Sequence, residues 1–372
     1  MSGESDPPRV RPHLTALPGY EPVTPVDQLA ARAGVDVTDV LKLDANENPF
    51  GASDAVQRAV AECRGWSVYP DPLQLDLRAA LAGYAGVTPE RVVAGAGSDE
   101  LIELTVRALV GPGQRVVSCP PTFGMYRFLC DVAAIPLDEV ERGADFGIDV
   151  EAVLAAIRPE TALVILASPN NPSGTPLRDD ALAALLGSGA TIAVDEAYGE
   201  YAGTSALERF GDHPRLIVFR TFSKWAGLAG LRAGYGVFHP DLASVLLRIK
   251  QPYNVNLAAE VAMRAAIDAK DELLAQAAQV VEERGALARD IGALGWLTPY
   301  PSSANFLLCA VEGGSPDAGA RLHAALAERG VFVRYFGTPR LRDCVRISCP
   351  RPDQHEALMT HLRAAGAGLG LA

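Results

Sequence analysis

The chain has 372 residues, 49% of them hydrophobic and 21% charged, with a formal net charge of −12. That length holds one large domain and a smaller one, and the acidic balance argues against nucleic acid or an anionic membrane as a partner. It leaves room for small anions, because one arginine cluster can bind a phosphate inside an acidic protein.

Six cysteines, Cys63, Cys119, Cys130, Cys309, Cys344 and Cys349, form no C-x-x-C pair and mostly sit in apolar runs. Buried free thiols are expected. The six histidines have no metal-ligand spacing, so no metal is expected. The opening MSGESDPPRVRPHL lacks the apolar core of a signal peptide, and no stretch approaches the ~18 apolar residues of a membrane span. A soluble, cytoplasmic protein is the expectation.

Residues 1 to 45 read as an N-terminal arm, polar and proline-rich at first, with a helical patch over Val26 to Ala33. LKLDANENPFG, Leu41 to Gly51, reads as a structured polar loop, because the residue before a proline is pushed out of the helical region. Helices are expected over 54 to 64 and Leu73 to Tyr84, with the proline-punctuated WSVYPDP between them. Strands then alternate with helices. Arg91 to Ala94, Gln114 to Ser118, Ile135 to Val140, Thr161 to Ala167, Thr191 to Val194, Leu216 to Phe219 and Ala233 to Phe238 read as strands. Such alternation predicts a mostly parallel sheet covered by helices on both faces, over residues 46 to 252. Leu242 to Lys250 is helical, and Asn256 to about Leu294 is one long alanine-rich helical region. A smaller α/β unit follows within 253 to 372, with strands at Ala304 to Ala310, Val331 to Phe336 and Val345 to Cys349.

In open α/β sheets ligands bind beyond the carboxyl ends of the strands, so the loops there form one set. They are GAGSDE, CPPTFGMY, SPNNPSG, DEAY and TFSK with its Arg232. GAGSDE combines glycines that allow close approach with a helix N-terminus suited to an anion. Asp195 closes an apolar strand, where a carboxylate needs a cationic partner. Asn171 sits on a proline turn, and Tyr198 follows Asp195 closely enough to share its site. Lys224 lies among hydroxyls at a strand end. Each has a plain structural alternative: a helix cap, a salt bridge, a turn, a surface lysine. Together they supply an anion cradle, a carboxylate, an amide with a phenol, and an amine. That is the inventory pyridoxal 5′-phosphate requires.

On these motifs, with LDANENPFG, YPD, QPYNVN and CVRIS in the same order, the chain resembles the fold-type-I pyridoxal-phosphate aminotransferases, and among them the histidinol-phosphate aminotransferase family. The resemblance implies Lys224 as the lysine that carries the cofactor and moves the substrate proton. It implies Asp195 for the pyridine nitrogen, and Asn171 and Tyr198 for the ring hydroxyl. Phe123 would stack on the ring, where many relatives carry tyrosine. Ser98, Asp99 through its backbone, Thr221, Ser223 and Arg232 would cradle the phosphate. Tyr69 would reach the phosphate of a neighbouring subunit, implying a homodimer with shared sites. Arg346 would grip a carboxylate, Arg334 the substrate phosphate, and Tyr20, Asn46 and Asn254 would approach the substrate side chain. The implied reaction takes the amine of L-histidinol phosphate to 2-oxoglutarate in histidine biosynthesis. An aromatic amino acid aminotransferase, a decarboxylase on the same scaffold and a non-catalytic binding protein stand as alternatives. Trp225, in a place where a slim residue is expected, should pack behind the lysine turn.

Overall fold

The computed structural model describes residues 8–19, 23–313, 315 and 317–371. Among these, twelve strands sort into two sheets. In chain order they are β1 (Leu41–Leu43), β2 (Val92–Ala96), β3 (Arg115–Ser118), β4 (Leu137–Glu139), β5 (Thr161–Ala167), β6 (Ile192–Asp195), β7 (Leu216–Thr221), β8 (Ala233–Val237), β9 (Leu297–Pro299), β10 (Phe306–Val311), β11 (Val331–Tyr335) and β12 (Cys344–Ser348).

The seven-stranded sheet runs β2-β8-β7-β6-β5-β3-β4. Pairing is parallel from β7 through β6, β5 and β3 to β4, and antiparallel only around β8. Its strands are apolar on both faces, as a sheet covered on both sides requires. Leu163 and Ile165 of β5 pack with Val116, Ala193 and Ile217 on one side. Val164 and Leu166 pack with Val117, Ile192, Val194 and Val218 on the other. The parallel arrangement brings the carboxyl ends of β3, β5, β6 and β7 to one edge.

The second sheet runs β1-β11-β12-β10-β9. Here the structure departs from the expected polar loop at Leu41 to Gly51, because its first three residues form β1 and pair in parallel with Val331–Val333. Leu41 and Leu43 join the core of this unit, while Lys42 points the other way with the two-residue period of a strand. A three-residue strand is too short for its alternation to stand out in the sequence. The single long helical region resolves into two helices, Leu257–Asp268 and Lys270–Gly292, broken at Ala269 with φ −94° and ψ 15°. The first of them packs against the helices Asp54–Glu62 and Leu75–Ala85. Trp225 is 1% exposed and stacks on Tyr84 behind the lysine turn, with ring centroids 5.4 Å apart.

Candidate active site

The five loops do meet. A cavity of about 500 Å³ opens where the carboxyl ends of the large sheet face the small unit. Ser98, Asp99, Phe123, Asn171, Asp195, Tyr198, Thr221, Ser223, Lys224, Arg232, Asn46, Arg334 and Arg346 all line it.

Lys224 follows β7 and donates from Nζ to the carbonyl of Ala45 at 3.1 Å. Burial, then the nearby Arg346 guanidinium, lower its amine to about 8. Asp195 ends β6 and is 4% exposed. Its Oδ2 accepts from the Tyr126 hydroxyl at 2.7 Å and its Oδ1 from the Ala197 N–H at 3.1 Å. Burial pushes the carboxyl up to about 6, against the pull of the Tyr126 hydrogen bond. A carboxylate kept there at such cost suits a cationic ligand atom.

At the other end of the cavity a helix begins at Ser98, with Gly97 before it at φ +82°. A Cβ on Gly97 would stand 2.7 Å from Arg232 Nη2, and one on Gly234 would stand 2.7 Å from the Ser98 nitrogen. Glycine at both positions lets the guanidinium and the helix's first N–H groups converge. Arg232 Nη2 also pairs with Asp99 Oδ2 at 2.9 Å. Thr221 Oγ1 donates within this corner and accepts from the Ser223 N–H at 3.1 Å. Hydroxyls, N–H groups and a guanidinium around one point form an anion cradle.

Between cradle and carboxylate, Phe123 stands edge-on to Tyr126 at 5.6 Å. The Tyr198 hydroxyl accepts from Asn46 Nδ2 at 2.9 Å. Asn171 Oδ1 accepts from Arg346 Nη1 at 2.6 Å, and Arg346 Nη2 donates to the Asp44 carbonyl at 2.5 Å. Arg334 and Arg346 are direct partners across β11 and β12. Their guanidinium carbons lie 5.9 and 5.6 Å from the Phe336 ring centroid. Like charges opposed on neighbouring strands repel, and an anion between them would relieve that repulsion.

Two expected residues lie outside this cavity. Asn254 joins a separate polar network, donating to Ala94 O at 3.1 Å and Glu100 Oε2 at 2.8 Å and accepting from Gln74 and Lys250. Tyr69 is 76% exposed and stacks on Tyr253 at 4.3 Å. Tyr20 lies outside the described residues. Sequence reasoning missed Tyr126, although it closes the quoted CPPTFGMY motif and lies in the first turn of the helix Met125–Ala133. It also missed Arg220, which pairs with Glu196 at 2.9 Å, directly after Asp195, and with Glu200 at 2.6 Å, two residues beyond Tyr198. Both acids sit in the quoted DEAYGEY, but no local pattern ties them to an arginine on β7.

The chain matches the family described as aminotransferase class I and II over residues 38–362. It is 47% identical to the histidinol-phosphate aminotransferase of Roseiflexus castenholzii, over 95% of this chain and 97% of that one. It is 42% identical to the chloroplastic histidinol-phosphate aminotransferase of Nicotiana tabacum, over 95% and 86%. Its fold superposes on the crystal structure of histidinol-phosphate aminotransferase from Sinorhizobium meliloti in complex with pyridoxal 5′-phosphate, with a TM-score of 0.88 and 29% identity over 98% and 99% of the two chains.

Proposed function

The chain belongs to the histidinol-phosphate aminotransferase family, within the class I and II aminotransferases, and on that premise we propose that it moves the amino group of L-histidinol phosphate to 2-oxoglutarate. The products are imidazole acetol phosphate and glutamate, in histidine biosynthesis, with pyridoxal 5′-phosphate as cofactor. The observation that carries this reading is one cavity holding a buried carboxylate, a half-buried amine and two opposed guanidinium groups.

The residues present fit the cofactor, since the glycine-lined cradle suits a phosphate and the buried Asp195 suits a ring cation. When bound, pyridoxal 5′-phosphate supplies an aldehyde that takes the amine and a protonated ring that draws off the electron pair left at the α-carbon. Ser98, the Asp99 N–H, Thr221, Ser223 and Arg232 hold the phosphate. Asp195 would face the pyridine N–H, whose opposite charge would bring its raised pKa back down and keep it ionised. Asn171 and Tyr198 orient the ring hydroxyl, and Phe123 covers one ring face. Lys224 would anchor the cofactor and take the α-proton on Nζ. Its lowered pKa keeps a useful share of that amine unprotonated near neutrality. Arg346 and Arg334 divide the anionic groups of the two substrates: Arg334 takes the phosphate of L-histidinol phosphate and Arg346 a carboxylate of 2-oxoglutarate. Asn46 holds Tyr198 and borders the substrate side chain.

We take residues 46–252 as the cofactor-binding domain and 253–372 as the small domain, with 1–45 as an N-terminal arm whose β1 pairs into the small sheet. We assign the working form to the cytoplasm as a homodimer, in which Tyr69 reaches the partner's phosphate; its exposed stack with Tyr253, beside exposed Trp66 and Val68, supports such a contact.

The test is a single turnover of the purified holoenzyme, followed by cofactor absorbance. L-Histidinol phosphate should convert the bound cofactor fast and L-phenylalanine slowly; the reverse order would make this an aromatic aminotransferase. Arg334→Ala should weaken L-histidinol phosphate by about tenfold or more, with a smaller loss for 2-oxoglutarate.

A further inference from the structure

Behind the cavity wall lies an arginine that the amino-group transfer does not use. Arg142 is 3% exposed, and its donors end on backbone carbonyls. Nε reaches Cys119 O at 3.0 Å, Nη1 reaches Phe146 O at 3.0 Å, and Nη2 points to Ala167 O at 3.5 Å. Its backbone N–H donates to Pro120 O at 2.9 Å. Among the described residues its charged neighbours include no carboxylate, and burial pulls the guanidinium down to about 10. A buried cation without a counter-charge is an expensive group to keep. This one spans the ends of β3 and β5, the strands whose loops carry Phe123 and Asn171.

The loop that carries Arg142 is gripped from the small unit as well. Arg340, between β11 and β12, donates from Nη1 to Arg142 O at 2.7 Å and from Nη2 to Gly143 O. Its guanidinium lies 4.9 Å from the Phe146 ring centroid, and Tyr300 meets the same ring edge-on at 4.9 Å. Phe146 is buried with φ +60°, a left-handed conformation that a bulky residue rarely adopts. Such a residue persists where its surroundings over-determine it. The two ends of this contact chain both reach the cavity. Pro120 to Phe123, Ala167 and Asn171 line its cofactor side, while Thr338 and Leu341, flanking Arg340 in sequence, line its mouth.

Resting on the function given above, we propose that Arg340 and Arg142 are positioning residues: together they hold the substrate-side wall, 336–341, in register with the cofactor-side loops, 119–123 and 167–171. Neither touches a reacting atom. Arg340 pins the 141–147 loop to the small unit, and Arg142 carries that constraint to the Cys119, Pro120 and Ala167 carbonyls. A shift of about 1 Å between the two walls would misplace a substrate held at both ends, at a cost of up to a hundredfold in rate or affinity.

The experiment is backbone amide hydrogen exchange on the holoenzyme, with steady-state kinetics beside it. Arg340→Met is the main lever, because that side chain is 28% exposed and methionine keeps an apolar stem against the Phe146 ring. Exchange should speed several-fold in 118–124 and 167–171, segments that Arg340 does not touch. The KM for L-histidinol phosphate should rise about tenfold while kcat changes by less than about threefold, and Arg340→Lys should recover part of the loss. Arg142→Lys should loosen the same two segments while leaving 336–343 as in wild type. Exchange changes confined to 141–147 and 336–343, or an unchanged KM, overturn the proposal. Should the wild-type enzyme fail to turn over L-histidinol phosphate, the functional reading falls, and the exchange pattern alone still decides the relay.

Discussion

The chemistry of Asp195 is set by a neighbour 69 residues away in sequence. Tyr126 donates to its carboxylate at 2.7 Å, and that bond opposes the rise caused by burial. Removing it with Tyr126→Phe leaves the carboxyl still higher. Cofactor binding needs the ionised form, so the acid limb of the cofactor-affinity profile should move up by about 1–2 pH units, the worth of a hydrogen bond to a charged group. A titration of apoenzyme with cofactor at several pH values measures this, and an unmoved limb would assign Asp195 another determinant. Lys224 offers a second check. In the proposed role its amine, lowered to about 8, would react in its neutral form. Cofactor attachment to the apoenzyme should therefore quicken about tenfold per pH unit below 8 and level off above it, as read by stopped-flow absorbance. Lys224→Ala should still bind cofactor, yet borohydride treatment should leave no cofactor mass on the chain.

Elements are tied together by charged groups that the local pattern leaves unpaired. Arg220 on β7 holds both Glu196 and Glu200, which flank Tyr198 and follow Asp195, and a Cβ on Gly199 would come within 3.3 Å of that guanidinium. In the small unit His355 opens the helix His355–Leu369 and bonds through both ring nitrogens to acids of the helix Lys270–Gly292: to Glu283, and to Asp290 at 2.9 Å. Those bonds raise its pKa above the ordinary value, although burial alone would lower it. A raised folded pKa stabilises most below the unfolded value of about 6.5, and the contribution fades as pH rises through the folded pKa. Wild type should thus exceed His355→Gln in Tm at pH 6 by more than at pH 9; a constant gap would remove the imidazolium from the account. Most elements were legible from periodicity, with Val26–Ala33 and Thr161–Ala167 expected at their observed bounds. β1 and β9 were not, since three residues carry too little alternation to separate a strand from a loop.

At the scale of the whole molecule, the site exists because two sheets face each other across one cavity. The large sheet contributes Asp195, Lys224 and the cradle; the small one contributes Arg334 and Arg346 as a directly opposed pair. The exposed aromatic face around Trp66, Tyr69 and Tyr253 belongs to this scale too. Sedimentation should give a dimer, and Tyr69→Phe should stay dimeric while cofactor affinity falls several-fold, the loss of one hydrogen bond to a charged group; unaltered affinity would take Tyr69 out of the partner's site.

The sequence by itself determined what is local: the alternation of apolar strands with helices, the strand-end loops, and the residue types those loops present. It therefore named Lys224, Asp195, Asn171 and Arg232 as one set, because strand ends in a parallel sheet share an edge. Only the tertiary structure decided which side chains meet across long separations. Tyr126 on Asp195, Arg220 between two acids, Arg142 under two strand ends and Arg334 opposite Arg346 all depend on which strands pair and in what register. Periodicity reports only which face of an element is apolar. The lowered amine of Lys224 and the raised carboxyl of Asp195 were likewise beyond the sequence, since both come from burial, a property of the assembled cavity.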